Sequence, residues 1–291
     1  MITRRRYKIL VDFERAHKFL TETYDAETLN SFLIPQYFEY AHMYPLDYTK
    51  THHFGIWEDD GKIVGIACFE MNLGYCCHLH THKDYRFLTP ELLEWAECEL
   101  CEIKDGKRKL EIWIAGSEQD KRELLQSAGF SLSFSEPRKI FNYDKPFPER
   151  KLPEGFTLLI GNENIDLKKL QLCFWKGFDH EGEPDYDVDH LLFGYEAPIS
   201  EKFMTAAVAP DGEYACALGM WVDEANQYAY LEPLATVPEY RRMGLATICL
   251  VEAMKKTKER GAKYCFCGSR EFYTAIGCEN LMDWELWKKE W

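Results

Sequence analysis

Two short stretches far apart in the chain repeat one another, and that repetition constrains the fold more than any single motif. "THKDYRFL", starting at Thr81, and "TVPEYRRM", starting at Thr236, match at Thr81 and Thr236, Asp84 and Glu239, Tyr85 and Tyr240, and Arg86 and Arg241, 155 positions apart. Upstream, "DGKIVGIACFEM" (60–71) resembles "DGEYACALGMWV" (211–222), each an Asp-Gly turn leading into an apolar strand with a glycine. Downstream, "LLQSAGF", ending at Phe130, resembles "FYTAIGC", ending at Cys278. Three landmarks in one order imply a duplicated unit.

Each half reads as an N-terminal helical stretch, a strand hairpin around the Asp-Gly turn, another strand, a long helix, a strand, a short helix and a final strand. That order implies an α/β (α+β) architecture in which a mixed, mostly antiparallel sheet is flanked by helices. A length of 291 residues suits two cores of ordinary size. "PRKIFNYDKPFPERKLPEG" (137–155) collects prolines and charges without periodicity and reads as an extended connection. The expected domains are therefore 1–145 and 152–291.

Composition excludes several function classes. A formal charge of −14 argues against a general nucleic-acid binder, which needs surplus Lys and Arg over the phosphates. No stretch has the length of a membrane span, and the apolar run after "MITRRR" is broken at once by Asp12 and Glu14, unlike a signal peptide. Eleven cysteines, an odd number at irregular positions, fit a reducing cytoplasmic setting better than a disulfide framework.

Chemistry concentrates in the second half, in "QYAYLEPLATVPEYRRMGLATICLVEAMKKTKERG". The span 227–237 alternates as a strand, and apolar residues recur at helical spacing from Leu245 until Gly261. Between them, "RRMGLA" places Gly244 where the backbone can approach a ligand, at a helix start whose N–H groups are unpaired, with Arg241 and Arg242 adding charge. Such a junction is an anion cradle suited to a pyrophosphate.

Here the chain resembles the GNAT (GCN5-related) N-acetyltransferase superfamily, whose acyl-CoA signature is Arg or Gln, two residues, Gly, one residue, then Gly or Ala. Arg241, Gly244 and Ala246 fill those positions. The resemblance implies two tandem acyl-CoA N-acyltransferase folds, the second of them active. Acetyl-CoA would be the cosubstrate, its pantetheine arm bonded to backbone groups of Leu234, Ala235 and Thr236. Its pyrophosphate would lie on the amides of Arg242, Met243, Gly244, Leu245, Ala246 and Thr247. In the family this strand carries a bulge, and Pro233, which cannot donate to a ladder, is a reasonable place for it. A carboxylate near the bulge can take the amine proton, and Glu232 is the candidate. Tyr273 falls where the family often places the tyrosine that donates to the CoA sulfur. The expected function is acetyl transfer to a primary amine of a small molecule or peptide, by direct attack in a ternary complex. A non-catalytic acyl-CoA-binding sensor or interaction module is the alternative. Aminoacyl transferases that use charged transfer RNA also carry tandem folds, and the net acidity and intact cradle count against that reading.

The first half keeps this layout without the cradle. Thr89 stands for Gly244, Glu91 for Ala246 and Cys77 for Glu232, and Pro90 removes an N–H donor. His78, His80 and His82 alternate as zinc ligands on one strand face could, but they align with Pro233, Ala235 and Val237 and read as the degenerate twin of the cofactor strand. No metal is expected. "DHEGEPDYDVDH" (179–190) would border the acceptor site and suit a cationic amine, or be a solvated acidic loop. Cys98 and Cys101 lack the second pair a zinc site needs, and Cys265 and Cys267 read as small core residues.

Overall fold

The computed structural model describes residues 1–43, 46–186 and 199–291. From the N-terminus the chain runs through β1 (Ile2–Arg6), α1 (Ile9–Glu22), α2 (Pro35–Met43), β2 (Gly55–Asp59), β3 (Lys62–Phe69), β4 (Cys77–Thr81), α3 (Thr89–Trp95), β5 (Glu102–Lys104), β6 (Lys107–Ala115), α4 (Gln119–Ser127) and β7 (Ser131–Asn142). It continues through β8 (Thr157–Ile160), α5 (Leu167–Gly177), β9 (Glu201–Val208), β10 (Tyr214–Asp223), β11 (Tyr228–Thr236), α6 (Leu245–Glu259), β12 (Tyr264–Cys267), α7 (Glu271–Ala275) and β13 (Glu279–Glu290).

The chain forms two compact units, Met1–Arg138 with Leu281–Trp291, and Lys139–Asn280. The first unit thus includes the end of the chain, and the stretch 139–151 belongs to the second, so the compact units depart from a division at 1–145 and 152–291. The reason is pairing. The "connection" begins as strand: residues 137–142 complete β7, whose last four residues pair antiparallel with β12. That strand's buried side after Pro137 is Lys139, whose ammonium donates to the Ser269 carbonyl and Thr274, then Phe141 and Tyr143 in the second unit's core, a face that the lysine hides from a hydrophobic pattern.

In the first unit the strand order is β1, β2, β3, β4, β6, β13, β7, with β5 on β6. Neighbours are antiparallel along β1–β4, while β4 and β6 are parallel and paired at Cys77 and Ile112. Its core gathers Trp57, Ile66, Leu92 and Ile112, and β13 contributes Trp287. Against this apolar interior Asp12, fully buried on α1, is satisfied by both Arg5 and Arg15 and by the Lys8 N–H. Burial works to raise its pKa, but those bonds overcome it and hold the carboxyl below its ordinary value. The long helix expected after β4 is short: α3 gives way to a π-helical turn at Ala96–Leu100, which ends beside Cys101.

In the second unit the order is β7, β12, β11, β10, β9, β8, antiparallel except for β11 on β12. β10, "YACALGMWVD", is buried along its whole length, as expected of a central strand covered on both faces. One face, with Leu218, Met220 and Leu231, packs under Leu245, Cys249 and Leu250 of α6. The other, with Met204, Ala206 and Ala217, packs under Leu170 and Cys173 of α5. Among the described residues, no helix is long and apolar enough to cross a membrane.

Candidate active site

The β10–β11 ladder pairs Leu218 with Leu234 and Met220 with Leu231, so Gly219 alone stands opposite two residues, Glu232 and Pro233. This is the bulge expected at Pro233, and the Glu232–Pro233 peptide is cis. A Cβ on Gly219 would lie 2.6 Å from the Glu232 carbonyl oxygen and 2.5 Å from Cε of Lys202, so only glycine fits. On its other edge β11 pairs with β12 only at Tyr228–Tyr230, leaving the strand from Leu231 onward without a ladder partner there. Leu234, Ala235 and Thr236 therefore border an opening between diverging strands. The end of α5 packs close to them: a Cβ on Gly177 would meet Ala235 Cβ at 2.6 Å.

After β11 a 3-10 turn at Pro238–Tyr240 reverses the chain into the cradle. Arg242 and Gly244 both take left-handed backbone, with φ of 68° and 84°. Gly244 is the N-cap of α6 without a side-chain cap, so the N–H groups of Leu245, Ala246 and Thr247 face outward from a helix of 15 residues. Arg242 and Met243 are exposed at its rim. Arg241 serves another purpose. Its guanidinium donates to the Thr236 carbonyl (3.1 Å), the Gly177 carbonyl (3.0 Å) and Asp179 (2.8 Å), tying α5 and the acidic stretch to the turn. Arg150, from the proline-rich stretch, passes 3.9 Å from the position a Gly244 Cβ would take, and nothing in the motif pointed to it.

Tyr273 comes from α7, its ring packed over Gly268, where a Cβ would clash at 2.8 Å. Burial foremost, then the charges of Cys267 and Glu232, push its phenol above the ordinary range, so the hydroxyl keeps its proton. Lys202 of β9, which sequence reasoning did not single out, is buried at the same bulge, its ammonium 4.8 Å from the centroid of the Trp221 ring. No local pattern marks it, because its neighbours come from other strands.

Of the acidic stretch 179–190, residues 187–190 lie outside the described residues. His180 stacks on Trp175 with centroids 4.4 Å apart, and Trp175 donates to the Gly182 carbonyl at 3.1 Å.

The counterpart opening in the first unit, between β4 and β6, is plugged. Lys121 of α4 donates to the Leu79 carbonyl (2.9 Å) and Ser31 (2.7 Å) and pairs with Glu118 (2.8 Å). Leu79 aligns with Leu234, so an ammonium group holds the backbone acceptor that the pantetheine arm would use. A cavity of about 820 Å³ remains beside it, bordered by His80, Arg86 and Pro90. His78 and His80 are packing residues: His78 lies edge-on to Tyr37, and His80 lies against Phe19 with Nε2 bonded to Thr23 at 2.8 Å. Thr23 spends its own proton on the Phe19 carbonyl, so the His80 ring carries its hydrogen on Nε2. Among the described residues no three His, Cys, Asp or Glu side chains form a metal-binding group. Cys265 and Cys267 are buried, and Cys98 is exposed.

Residues 166–277 match the acetyltransferase (GNAT) family, a span that holds α5 through α7. No curated protein matches the sequence. Among solved structures, a tandem GNAT protein from the clavulanic acid biosynthesis pathway is 12% identical with a TM-score of 0.67, covering 100% of this chain and 98% of its own. A GCN5-related N-acetyltransferase from Sphaerobacter thermophilus is 16% identical with a TM-score of 0.61, over 99% of this chain and 95% of its own. N-myristoyltransferase from Saccharomyces cerevisiae, with bound myristoyl-CoA, is 11% identical with a TM-score of 0.57, over 99% and 78%. The C-terminal segment thus belongs to the GNAT acetyltransferase family, within a chain that has the tandem GNAT fold.

Proposed function

We propose that the protein is an N-acetyltransferase whose second unit moves the acetyl group of acetyl-CoA to a primary amine. The observation that carries the reading is the bulge of Glu232 and Pro233 opposite Gly219, followed along the chain by the glycine cradle at Gly244 and by the half-buried Tyr273, whose phenol keeps its proton. Leu234, Ala235 and Thr236 lie at the opening beyond the bulge and bind the pantetheine arm through their backbone. The amides of Arg242 to Thr247 hold the pyrophosphate, with Arg150 and Arg242 supplying positive charge. Arg241 acts through structure, by fixing the turn that presents those amides.

In the reaction the acceptor nitrogen forms a bond to the thioester carbonyl carbon and the carbon–sulfur bond breaks. Glu232 accepts the proton that the amine gives up, and Tyr273 supplies one to the departing sulfur. A neutral phenol is the form that can donate, which agrees with its upward shift. The exposed acidic side chains Glu181, Glu183 and Asp185, which follow the Asp179 held by Arg241, favour a cationic amine.

Titration calorimetry with acetyl-CoA tests this assignment. Wild-type protein should bind, and Gly244→Glu, which forces a side chain onto left-handed backbone and sets a carboxylate against the pyrophosphate, should weaken binding by more than about tenfold. Absence of binding by wild type, or equal binding by both, would refute it. Acetylation of any member of an amine panel separates the enzyme from an acyl-CoA sensor.

A further inference from the structure

The cavity of about 820 Å³ beside the plugged opening has no part in the acetyl-transfer site, and every residue that lines it belongs to the first unit. Its size is that of a small-molecule site. β4 contributes His80 to the lining, the 3-10 turn Lys83–Leu88 contributes Lys83 and Arg86, and the chain after α1 and the start of α4 contribute Glu27 and Asp120. CoA does not suit it. Lys121 already holds the Leu79 carbonyl, Glu91 sits in the first turn of α3, and Pro90 has no N–H, so neither the acceptor for a pantetheine arm nor a pyrophosphate cradle is present.

What the lining offers instead begins with His80. The residue is 7% exposed, its ring lies against Phe19, and its Nε2 is spent on Thr23. Among the described residues no protein group meets Nδ1. With the hydrogen on Nε2, Nδ1 is a bare acceptor, and burial holds the ring neutral by lowering its pKa well below the ordinary histidine value. The ring borders the cavity, so a donor reaches Nδ1 from there. Water can meet such an acceptor, and a ligand N–H can take the water's place.

The charges define the rest of the ligand. Arg86 is the twin of Arg241, but where Arg241 makes three hydrogen bonds, the Arg86 guanidinium makes none among the described residues, and neither does the ammonium of Lys83. The carboxylates of Glu27 and Asp120 are equally uncommitted there. Other acids of the lining are occupied: Glu22 pairs with Lys18, Asp25 accepts from Glu27 N–H and Thr28, and Glu118 pairs with Lys121. A simple anion would meet repulsion from Glu27 and Asp120, and a simple cation from Lys83 and Arg86. A molecule carrying both charges satisfies both sets.

We propose that the first unit binds a small zwitterion of the amino-acid class in this cavity, its carboxylate on Arg86 and Lys83, its ammonium on Glu27 and Asp120, and one N–H donated to Nδ1 of His80. The degenerate copy thus keeps a binding cleft and changes its ligand. A free amino acid and a short peptide share this chemistry.

Nuclear magnetic resonance on protein labelled with 15N in its histidine rings tests the assignment, with the His80 signals identified by their loss in His80→Gln. The probes are the standard amino acids and a panel of glycyl dipeptides carrying every standard side chain. At least one should shift the His80 Nδ1 signal saturably, and whether the amino acids or the dipeptides do so identifies the source. Acetylating the amino end and amidating the carboxyl end of that probe should weaken binding at least about tenfold, as should Arg86→Glu, a change at an exposed side chain that leaves the fold intact. Acetyl-CoA should leave the His80 signals in place. The proposal is overturned if no probe moves the Nδ1 signal, if the capped probe binds as well as the free one, if Arg86→Glu binds like wild type, or if acetyl-CoA moves the signal in place of the zwitterions. None of these readouts requires the second unit to transfer acetyl groups.

Discussion

At the scale of single residues, the site divides into groups that a motif can announce and groups that only neighbours define. Glu232, Tyr273 and Gly244, the residues proposed to act, could be named from the sequence because each sits at a fixed spacing from the strand, turn and helix that present it. Glu232→Gln should lower kcat by about 10²- to 10⁴-fold, most severely at low pH, where little acceptor amine is free without a base; pH–rate profiles of the two proteins check this. Tyr273→Phe should lower kcat by at least about tenfold and leave acetyl-CoA affinity near wild type, since the ring still packs over Gly268 and only the donor is lost. Lys202 and Arg150 were not legible. A lone lysine within "EKFMTAAV" has no periodic or motif context, and what makes it notable is its burial beside Gly219 and the bulge, formed by strands that follow it in the chain.

At the scale of elements, the two copies of one strand-turn-helix unit have gone separate ways. In the second unit the strand edge beyond Tyr230 stays open; in the first, Lys121 closes it and histidines pack beneath. These histidines carry a measurable consequence. Burial pulls His78 down to about 3, and it pulls His42, a buried histidine of α2 bonded to Tyr7 and the Phe38 carbonyl, to about 4, both below the ordinary 6.5. The folded state therefore refuses protons that the unfolded state takes up, so stability is full above about pH 6.5 and falls as the pH drops toward these values. At pH 5 each should cost about 2 kcal/mol. Denaturant unfolding at pH 7.5 and pH 5 should show His78→Leu losing about 2 kcal/mol less than wild type over that interval. The alternation of His78 and His80 was visible in the sequence as a shared face; that the face meets Tyr37, Phe19 and Thr23 rather than an ion was not.

At the scale of the whole molecule, the duplication was readable, but the allocation of chain to units was not. The sequence suggests a break in the proline-rich stretch, whereas Lys139–Asn280 is the compact second unit and β13 belongs to the first, paired with β6 from Lys109 to Ala115. Trp287→Ala should therefore destabilise the first unit by about 3–5 kcal/mol, as loss of a buried tryptophan does, and leave acetyl-CoA binding by the second unchanged. Thermal unfolding read together with calorimetry checks both halves of that statement; equal loss in the two would contradict the unit assignment.

The sequence by itself determined the duplication, the succession of hairpin, strand and helix in each half, the glycine at the start of α6 and the bulge at Pro233, though not the strands β1, β5 and β8 or the shortness of α3; what it did determine depends on local spacing: a period of two or of 3.6, a turn glycine, a proline that cannot donate. Tertiary structure alone decided that Lys202 is buried beside the bulge, that Lys121 blocks the first opening, and that the last strand completes the first unit. Those outcomes depend on which buried groups find a charge or a hydrogen-bond partner across strands. Such pairings are set by packing and desolvation among residues far apart in the chain, which no local pattern records.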